Sequence, residues 1–205
     1  MRRVNPRQME FFDRSAETWD LQVQHDPAKV GKIAEILGVE PGDRVLDVGT
    51  GTGIMLPHML DMVGPQGEVI GLDYSERMLE VARQKFPPGV FPNLRLVRGD
   101  ASLVDPLGVD RVMCYSVFPH FVDQRGTLKN LVRGMRPGGT LVVAHSSSRE
   151  EINGIHIETG REVANDFLPT MEEMMLMFME AGLVVRMAID DEECFVIVGK
   201  RDGGA

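Results

Sequence analysis

Three aspartates, a run of alternate glycines and a group of histidines carry most of the chemistry available to this 205-residue chain. The glycines lie in VLDVGTGTG, where Gly49, Gly51 and Gly53 take every second position behind an apolar run that ends in Asp47 and Val48. Glycines spaced this way let a backbone approach a ligand closely, and dinucleotides, nucleotide phosphates and sulfonium nucleosides are all held by such turns. Asp73 closes VIGLD and Asp100 closes RLVRGD. Of the five histidines, His120 follows YSVFP, and His145 and His156 bracket the polar stretch HSSSREEINGIH. Imidazoles grouped in this way serve as a general base, as metal ligands or as partners in a structural polar network.

The elements that must position these groups are short. DRVLDVG, GEVIGLD, NLRLVRGD, VDRVMCYSV and TLVVAHS read as strands, nearly continuous in apolar residues as expected for strands buried on both faces. Helices separate them: IMLPHMLDMV, with Pro57 tolerated near its start, SERMLEVARQKF, with Ser75 as N-cap, and QRGTLKNLVRGM, followed by an RPGG turn that launches the fifth strand. Upstream, DPAKVGKIAEILG has a helical stripe from Val30 to Leu37 that Gly38 ends. Strands alternating with helices imply right-handed crossovers and a doubly wound, mainly parallel α/β sheet with helices on both faces.

The C-terminal part differs. TMEEMMLMFMEAG opens with a capping-box pattern, Thr170 with Glu173, and its spacing puts Met171, Met174, Met175 and Phe178 toward the core. LVVRMAID and ECFVIVGKR are joined by only DEE, which demands an antiparallel hairpin and makes seven strands, the sheet ending in one antiparallel strand. One domain spans 1–205: a helical cap over 1–40, a cofactor-binding core over 41–146, a substrate-side insertion over 145–169, and a helix with a hairpin over 170–201. The RDGGA tail reads as frayed.

Composition narrows the partners. Twenty-two basic and thirty-one acidic residues give a formal charge of −9, which argues against nucleic acid and against an anionic membrane. The early arginines, Arg2 and Arg3, lack the continuous apolar stretch of a signal peptide, and no apolar run approaches the ~20 residues of a membrane span. The two cysteines, Cys114 and Cys194, make neither a metal spacing nor a disulfide framework, so a cytoplasmic protein is expected. A homodimer through an exposed edge or the N-terminal helix stays open.

Ligands of an open parallel sheet sit at the carboxyl ends of its strands, where Asp47, Asp73 and Asp100 are expected. Three carboxylates repel a di- or triphosphate, and no GK[ST] follows the glycines to neutralise one. A pyridine dinucleotide is disfavoured by Asp47 and by G-x-G-x-G spacing in place of G-x-G-x-x-G, since residue 54 is isoleucine. S-adenosylmethionine has no phosphate, and its diol, amine, ammonium and sulfonium suit carboxylates and carbonyls.

VLDVGTGTG, VIGLDYS, RLVRGDA, RVMCYSVFPHF and MRPGGTLVVAH together resemble, in order and spacing, the class I S-adenosylmethionine-dependent methyltransferases, closest to the small-molecule branch of ubiquinone/menaquinone type. The resemblance implies a Rossmann-like fold and methyl transfer to a small acceptor, with S-adenosylmethionine as cofactor and S-adenosylhomocysteine as product. It implies that Gly49, Thr50, Gly51 and Gly53 form the turn under the methionine portion and that Asp47 helps place the ammonium. It further implies that Asp73 holds the ribose hydroxyls, Tyr74 packs on adenine, Asp100 and Ala101 read the adenine edge, and Tyr115 and Ser116 face the methyl. Asp47 and Asp100 could instead only cap their turns. A nonenzymatic alternative, an S-adenosylmethionine-binding regulatory protein, stays open, although its cofactor motifs would be expected to degenerate.

The informative departure is the long link from His145 to Pro169. His120, His145 and Tyr115 are the catalytic candidates, and His120, His145, Arg149, Asn153 and His156 are the candidates for holding the acceptor. A metal or metalloid site from His145, His156 and Asp166 is a second reading, and a structural network around His145 a third. EEINGIH suggests a helical turn, and Arg149 a pair with Glu151 or Glu158. Phe11, Phe12 and Trp19 are expected to close over the cofactor or pack on the domain, and His25 to lie at the surface or in a cap.

Overall fold

A computed structural model describes residues 5–105, 108–159 and 162–203. Arg2, Arg3 and the last two residues of the tail lie outside them. Seven strands form one sheet: β1 (Arg44–Val48), β2 (Glu68–Asp73), β3 (Leu94–Arg98), β4 (Val109–Tyr115), β5 (Met135–His145), β6 (Leu183–Asp190) and β7 (Phe195–Arg201). Their spatial order is β3-β2-β1-β4-β5-β7-β6. All pairings among β1 to β5 are parallel, whereas β7 runs antiparallel to both β5 and β6. The antiparallel strand is therefore inserted inside the sheet, and β6, not β7, forms the edge. A short hairpin can place either of its strands against β5; β7 wins because Phe195, Val196 and Ile197 are buried while β6 keeps Val184 and Met187 exposed.

The period of two divides the core. Leu46, Val112, Cys114 and Leu141 face one side of the sheet, where α6 (Gln124–Gly134) and α8 (Met171–Glu180) add Leu128, Leu131 and Phe178. Val45, Met113 and Val142 face the other, covered by α3 (Pro27–Ile36) and α4 (Leu56–Val63) through Ile33, Leu37 and Met59. Each such fully buried side chain contributes about 1.5–3 kcal/mol. α5 (Glu76–Lys85) starts at Ser75, whose hydroxyl accepts from the Met78 amide, and the Thr170–Glu173 capping box is complete at α8.

Three local expectations change. In α8 the buried methionines are Met174 and Met177, with Met175 exposed, because Phe178 and Met174 set the stripe and position 177 continues it. RPGG does not precede the fifth strand but bulges within it: Met135 already pairs with Val109, and the register shifts before Arg111 meets Thr140. EEINGIH belongs to a full eleven-residue helix, α7 (Arg149–Thr159). The N-terminal residues form α1 (Pro6–Ser15) and the short α2 (Trp19–Gln22), which lie over the carboxyl ends of the strands.

Candidate cofactor and acceptor site

Strand order reverses between β1 and β4, and the crevice expected at such a switch point is present. A cavity of about 440 Å³ is walled by the residues after β1, β2, β3 and β4 and roofed by the N-terminal helices.

The glycine turn starts where β1 ends. The Gly49 and Thr50 amides donate to Leu72 O at 2.7 and 3.1 Å, tying the turn to β2. Gly49 has φ 68° and a Cβ there would lie 2.2 Å from Val117 Cγ2, so this position excludes every side chain. Gly51, at φ 54°, would meet only Gly49 O at 3.9 Å and borders the cavity. Gly53 does not line the cavity; it makes room for Phe86 and Leu56. We expect Gly49→Ala to cost about 3 kcal/mol in urea unfolding, from steric overlap and positive φ together. Gly51→Ala should cost about 1 kcal/mol, from φ alone. Equal losses at the two positions would remove the role of Val117.

The three carboxylates separate in role. Asp47 is buried behind the turn and off the cavity wall, accepting from the Thr50 hydroxyl at 2.7 Å. Burial pushes it up to about 7, countered by Thr50 and reinforced by Asp73. It braces the turn from behind the wall. Asp73 lines the cavity with its oxygens fixed by two amides, Oδ2 accepting from Gly51 at 2.9 Å and Oδ1 from Ser75 at 2.8 Å. Burial raises it to about 6 against those bonds. Asp100 Oδ1 accepts from the Ser102 amide at 2.8 Å, while its Oδ2 is buried with no hydrogen-bond partner among the described residues. A buried carboxylate oxygen left so is costly unless a donor arrives. Tyr74, Ala101, Thr50, Tyr115 and Ser116 complete this wall. Ser116 has φ 52°, alone with a positive value among the described non-glycine residues, and strain of this kind concentrates at functional sites.

The roof brings residues that sequence reasoning passed over. Asp20 accepts from the Thr52 hydroxyl at 2.5 Å and from Lys85 at 2.8 Å. Partial burial would raise its carboxyl, but Lys85 and Thr52 hold it below the usual range. Asp13 accepts from the Ser75 hydroxyl at 2.6 Å. Phe12 packs edge-on to Trp19, Tyr74 and His120, with ring centres 5.4, 6.1 and 5.1 Å away. Phe12 and Trp19 line the cavity, as does the half-buried His25 of the cap region: its Nδ1 lies 2.8 Å from the Tyr115 hydroxyl, and that hydroxyl donates to Ser146 at 2.8 Å. Burial lowers the His25 imidazole, with Asp20 opposing.

The histidines expected at the mouth divide. His120 lines the cavity, and its Nδ1 sits 2.8 Å from Asp166 Oδ2. A carboxylate only accepts, so Nδ1 carries a proton, and in the neutral ring Nε2 holds the free lone pair. His156 stands beside it, ring centres 4.8 Å apart, with Nδ1 2.5 Å from the Asp166 carbonyl; it is not on the cavity wall. His145 is buried at the end of β5, off the wall, packed against the ring of Phe195. Burial, then His120, His156 and His25, push it down to about 3, which makes its imidazole a weak proton acceptor. Arg149 bonds Glu150 and approaches Asp190 at 3.7 Å, instead of Glu151 or Glu158, and does not reach the cavity. Asn153 holds the Leu168 amide and carbonyl and is not on the cavity wall. His145, His156 and Asp166 do not assemble as ligands: among the described residues no group of three His, Cys, Asp or Glu side chains is placed to hold a metal. Nor is any described helix long and apolar enough to cross a membrane.

Comparison with known proteins agrees with this geometry. The family described as a methyltransferase domain matches residues 39–193. A demethylmenaquinone methyltransferase of Staphylococcus aureus (strain JH9) is 35% identical over 118 residues, 57% of this chain and 48% of that protein. The chain thus spans about half the length of the curated relatives it matches. Among solved structures, a chain of the complex between the Haloferax volcanii Trm112 methyltransferase activator and its methyltransferase superposes with a TM-score of 0.77 at 24% identity, over 93% of this chain and 97% of that one. A SAM-dependent methyltransferase from Aquifex aeolicus gives 0.67 at 23%, over 86% and 99%. At these identities the structures speak for the fold alone. The sequence match over 39–193 goes further, because it contains the glycine turn and the carboxylates of the cavity wall: this chain belongs to the methyltransferase-domain family, with the class I S-adenosylmethionine-dependent fold.

Proposed function

We propose that the protein transfers the methyl group of S-adenosylmethionine to a small organic acceptor. The observation that carries this reading is the donor set of the cavity wall: acceptor groups at Asp73 and at the partnerless Asp100 Oδ2, with no phosphate cradle. The residues present fit the cofactor. Asp73 would take the ribose diol and Asp100 the exocyclic amine, with Ala101 beside it. Tyr74 would pack on the base, and Gly49 and Gly51 would leave room for the methionine portion. Once bound, the cofactor supplies a methyl group activated on a sulfonium.

This chain's own residues do the rest. Tyr115 and Ser116 border the space where methyl and acceptor meet. His120, its Nδ1–H directed to Asp166, presents Nε2 to take the acceptor's proton as the new bond to the methyl carbon forms. The bound cofactor would supply the methyl group, with sulfur as the leaving atom and S-adenosylhomocysteine as the product. The cap shields this step from water through Phe12, Trp19 and the Asp20 contacts. A roofed cavity of about 440 Å³ and a charge of −9 favour a small molecule over a nucleic acid.

Calorimetric titration with S-adenosylmethionine and S-adenosylhomocysteine tests the reading, and its pH dependence has a defined sign. The ionised Asp73 is the better acceptor for a diol, so binding favours loss of its proton. Affinity for both ligands should be full above pH 7 and fall as pH drops through about 6, the value to which burial raises Asp73, with proton release near that pH. No binding of either ligand at pH 7.5 would sink the proposal, and binding that does not weaken toward pH 5 would detach it from Asp73.

A further inference from the structure

α1 buries one side chain among its described residues, and that side chain is polar: Gln8 is 2% exposed, while Phe11 and Phe12 are only half-buried. A helix that only packed on the domain would place leucine or methionine there, because burying a carboxamide is unfavourable unless both its ends are hydrogen-bonded. Both ends of Gln8 are bonded, and to opposite sides of the site. Oε1 accepts from the Tyr74 hydroxyl at 3.1 Å, on the wall that faces the cofactor. Nε2 donates to Asp166 Oδ2 at 2.7 Å, the same oxygen that accepts from His120 Nδ1 at 2.8 Å.

We propose that Gln8 is a positioning residue that couples closure of the N-terminal cap, and with it the cofactor side of the cavity, to the orientation and tautomer of His120. This rests on the reading of His120 as the group that takes the acceptor's proton. The chain of contacts runs Tyr74, Gln8, Asp166, His120, and each link constrains the next. Asp166 fixes which way the carboxamide points, since a carboxylate only accepts, and the Tyr74 hydroxyl then donates to the oxygen. The amide nitrogen holds Asp166 Oδ2 against His120. Asp166 in turn keeps the proton on Nδ1 and leaves Nε2 bare toward the cavity. With the cap lifted, Gln8 leaves both partners. Tyr74 then loses its acceptor and Asp166 one of its two donors, so His120 is released from a single geometry. The base is thereby set only when the roof is down and water is excluded. The groups that face His120 are consistent with such control: Phe12 from the cap, His156 from α7, and Asp166 from the link before α8.

Gln8→Met keeps the volume and removes both bonds, which makes it the variant of choice. Its effect is read in two ways on the full chain. Nitrogen-15 spectra of labelled histidine, taken where imidazole is neutral, report the tautomer of His120. Fluorescence of Trp19, the single tryptophan and part of the cap, reports closure on titration with S-adenosylhomocysteine. In the ligand-free wild type His120 should be the Nδ1–H form; in Gln8→Met both tautomers should appear, and S-adenosylhomocysteine should bind about tenfold more weakly. Tyr74→Phe, which keeps the ring and loses only the hydroxyl, should shift the tautomer in the same direction by less, and serves if Gln8→Met does not fold. An unchanged His120 tautomer in either folded variant overturns the proposal, because a merely structural Gln8 would lower stability without moving that signal. A wild type that binds no S-adenosylhomocysteine instead overturns the cofactor reading, and the ligand-free tautomer comparison still decides for or against the role of Gln8.

Discussion

His120→Ala is expected to slow methyl transfer by about 10²- to 10⁴-fold, the range associated with losing a positioned general base, while S-adenosylhomocysteine affinity changes by less than about threefold. The argument is geometric. His120 lies on the cavity wall with Nδ1 committed to Asp166, and so presents one nitrogen to an acceptor. The other candidates drop out on contact grounds. His145 and His156 are off the wall, and the Tyr115 hydroxyl, which is on it, is already engaged by Ser146 and His25. Single-turnover methyl release, measured with an acceptor found by screening, separates chemistry from binding. Asp166→Asn should give a smaller loss in the same direction, because the ring stays but its tautomer is no longer held. A drop below tenfold in His120→Ala would mean that the acceptor attacks without this base, as a thiolate or a free amine would. Cofactor binding with no methyl release to any acceptor would favour the regulatory alternative.

Asp73→Ala is expected to weaken S-adenosylmethionine binding by about 10²- to 10⁴-fold, measured by the same calorimetry, from the loss of two hydrogen bonds to a charged acceptor at roughly 1.5–3 kcal/mol each. Its carboxylate is already oriented by the Gly51 and Ser75 amides, so little ordering is left to be done when a diol arrives. The substitution also frees the Gly51 amide, and the turn should loosen; Asp73→Asn controls for this, keeping an acceptor for one amide while losing the charge. If Asp73→Asn bound as tightly as wild type and kept the pH dependence expected near 6, the cofactor would have to be held elsewhere. Asp100→Ala should weaken binding less, because it removes a partner for the amine and leaves the ribose contacts in place.

How far the molecule can be read from its chain depends on the range of the forces involved. The strands, the glycine turn, the Ser75 cap and the Thr170–Glu173 capping box were legible because each is set by neighbours within a few residues. The glycine-turn side of the crevice follows from them: parallel strands in register bring the ends of β1, β2 and β4 to one edge, so Asp73 and the glycines meet without further information. The acceptor half is not of that kind. Gln8 and Asp166 are 158 residues apart, and Tyr115 and His25 are 90 apart, so nothing local announces either pair. A polar residue at the buried position of α1 was the one available signal for Gln8, and it acquires meaning only once the helix is seen docked. The same holds for His145, Asn153 and Arg149, whose residue types suit a substrate site but whose side chains are turned to the core, to Leu168 and to Glu150. Residue type and spacing determined that this chain would build a crevice at the carboxyl ends of its strands, lined with carboxylates. Tertiary packing decided which imidazole reaches that crevice, because side-chain direction is settled by long-range burial and by the docking of the cap, and no local pattern encodes either.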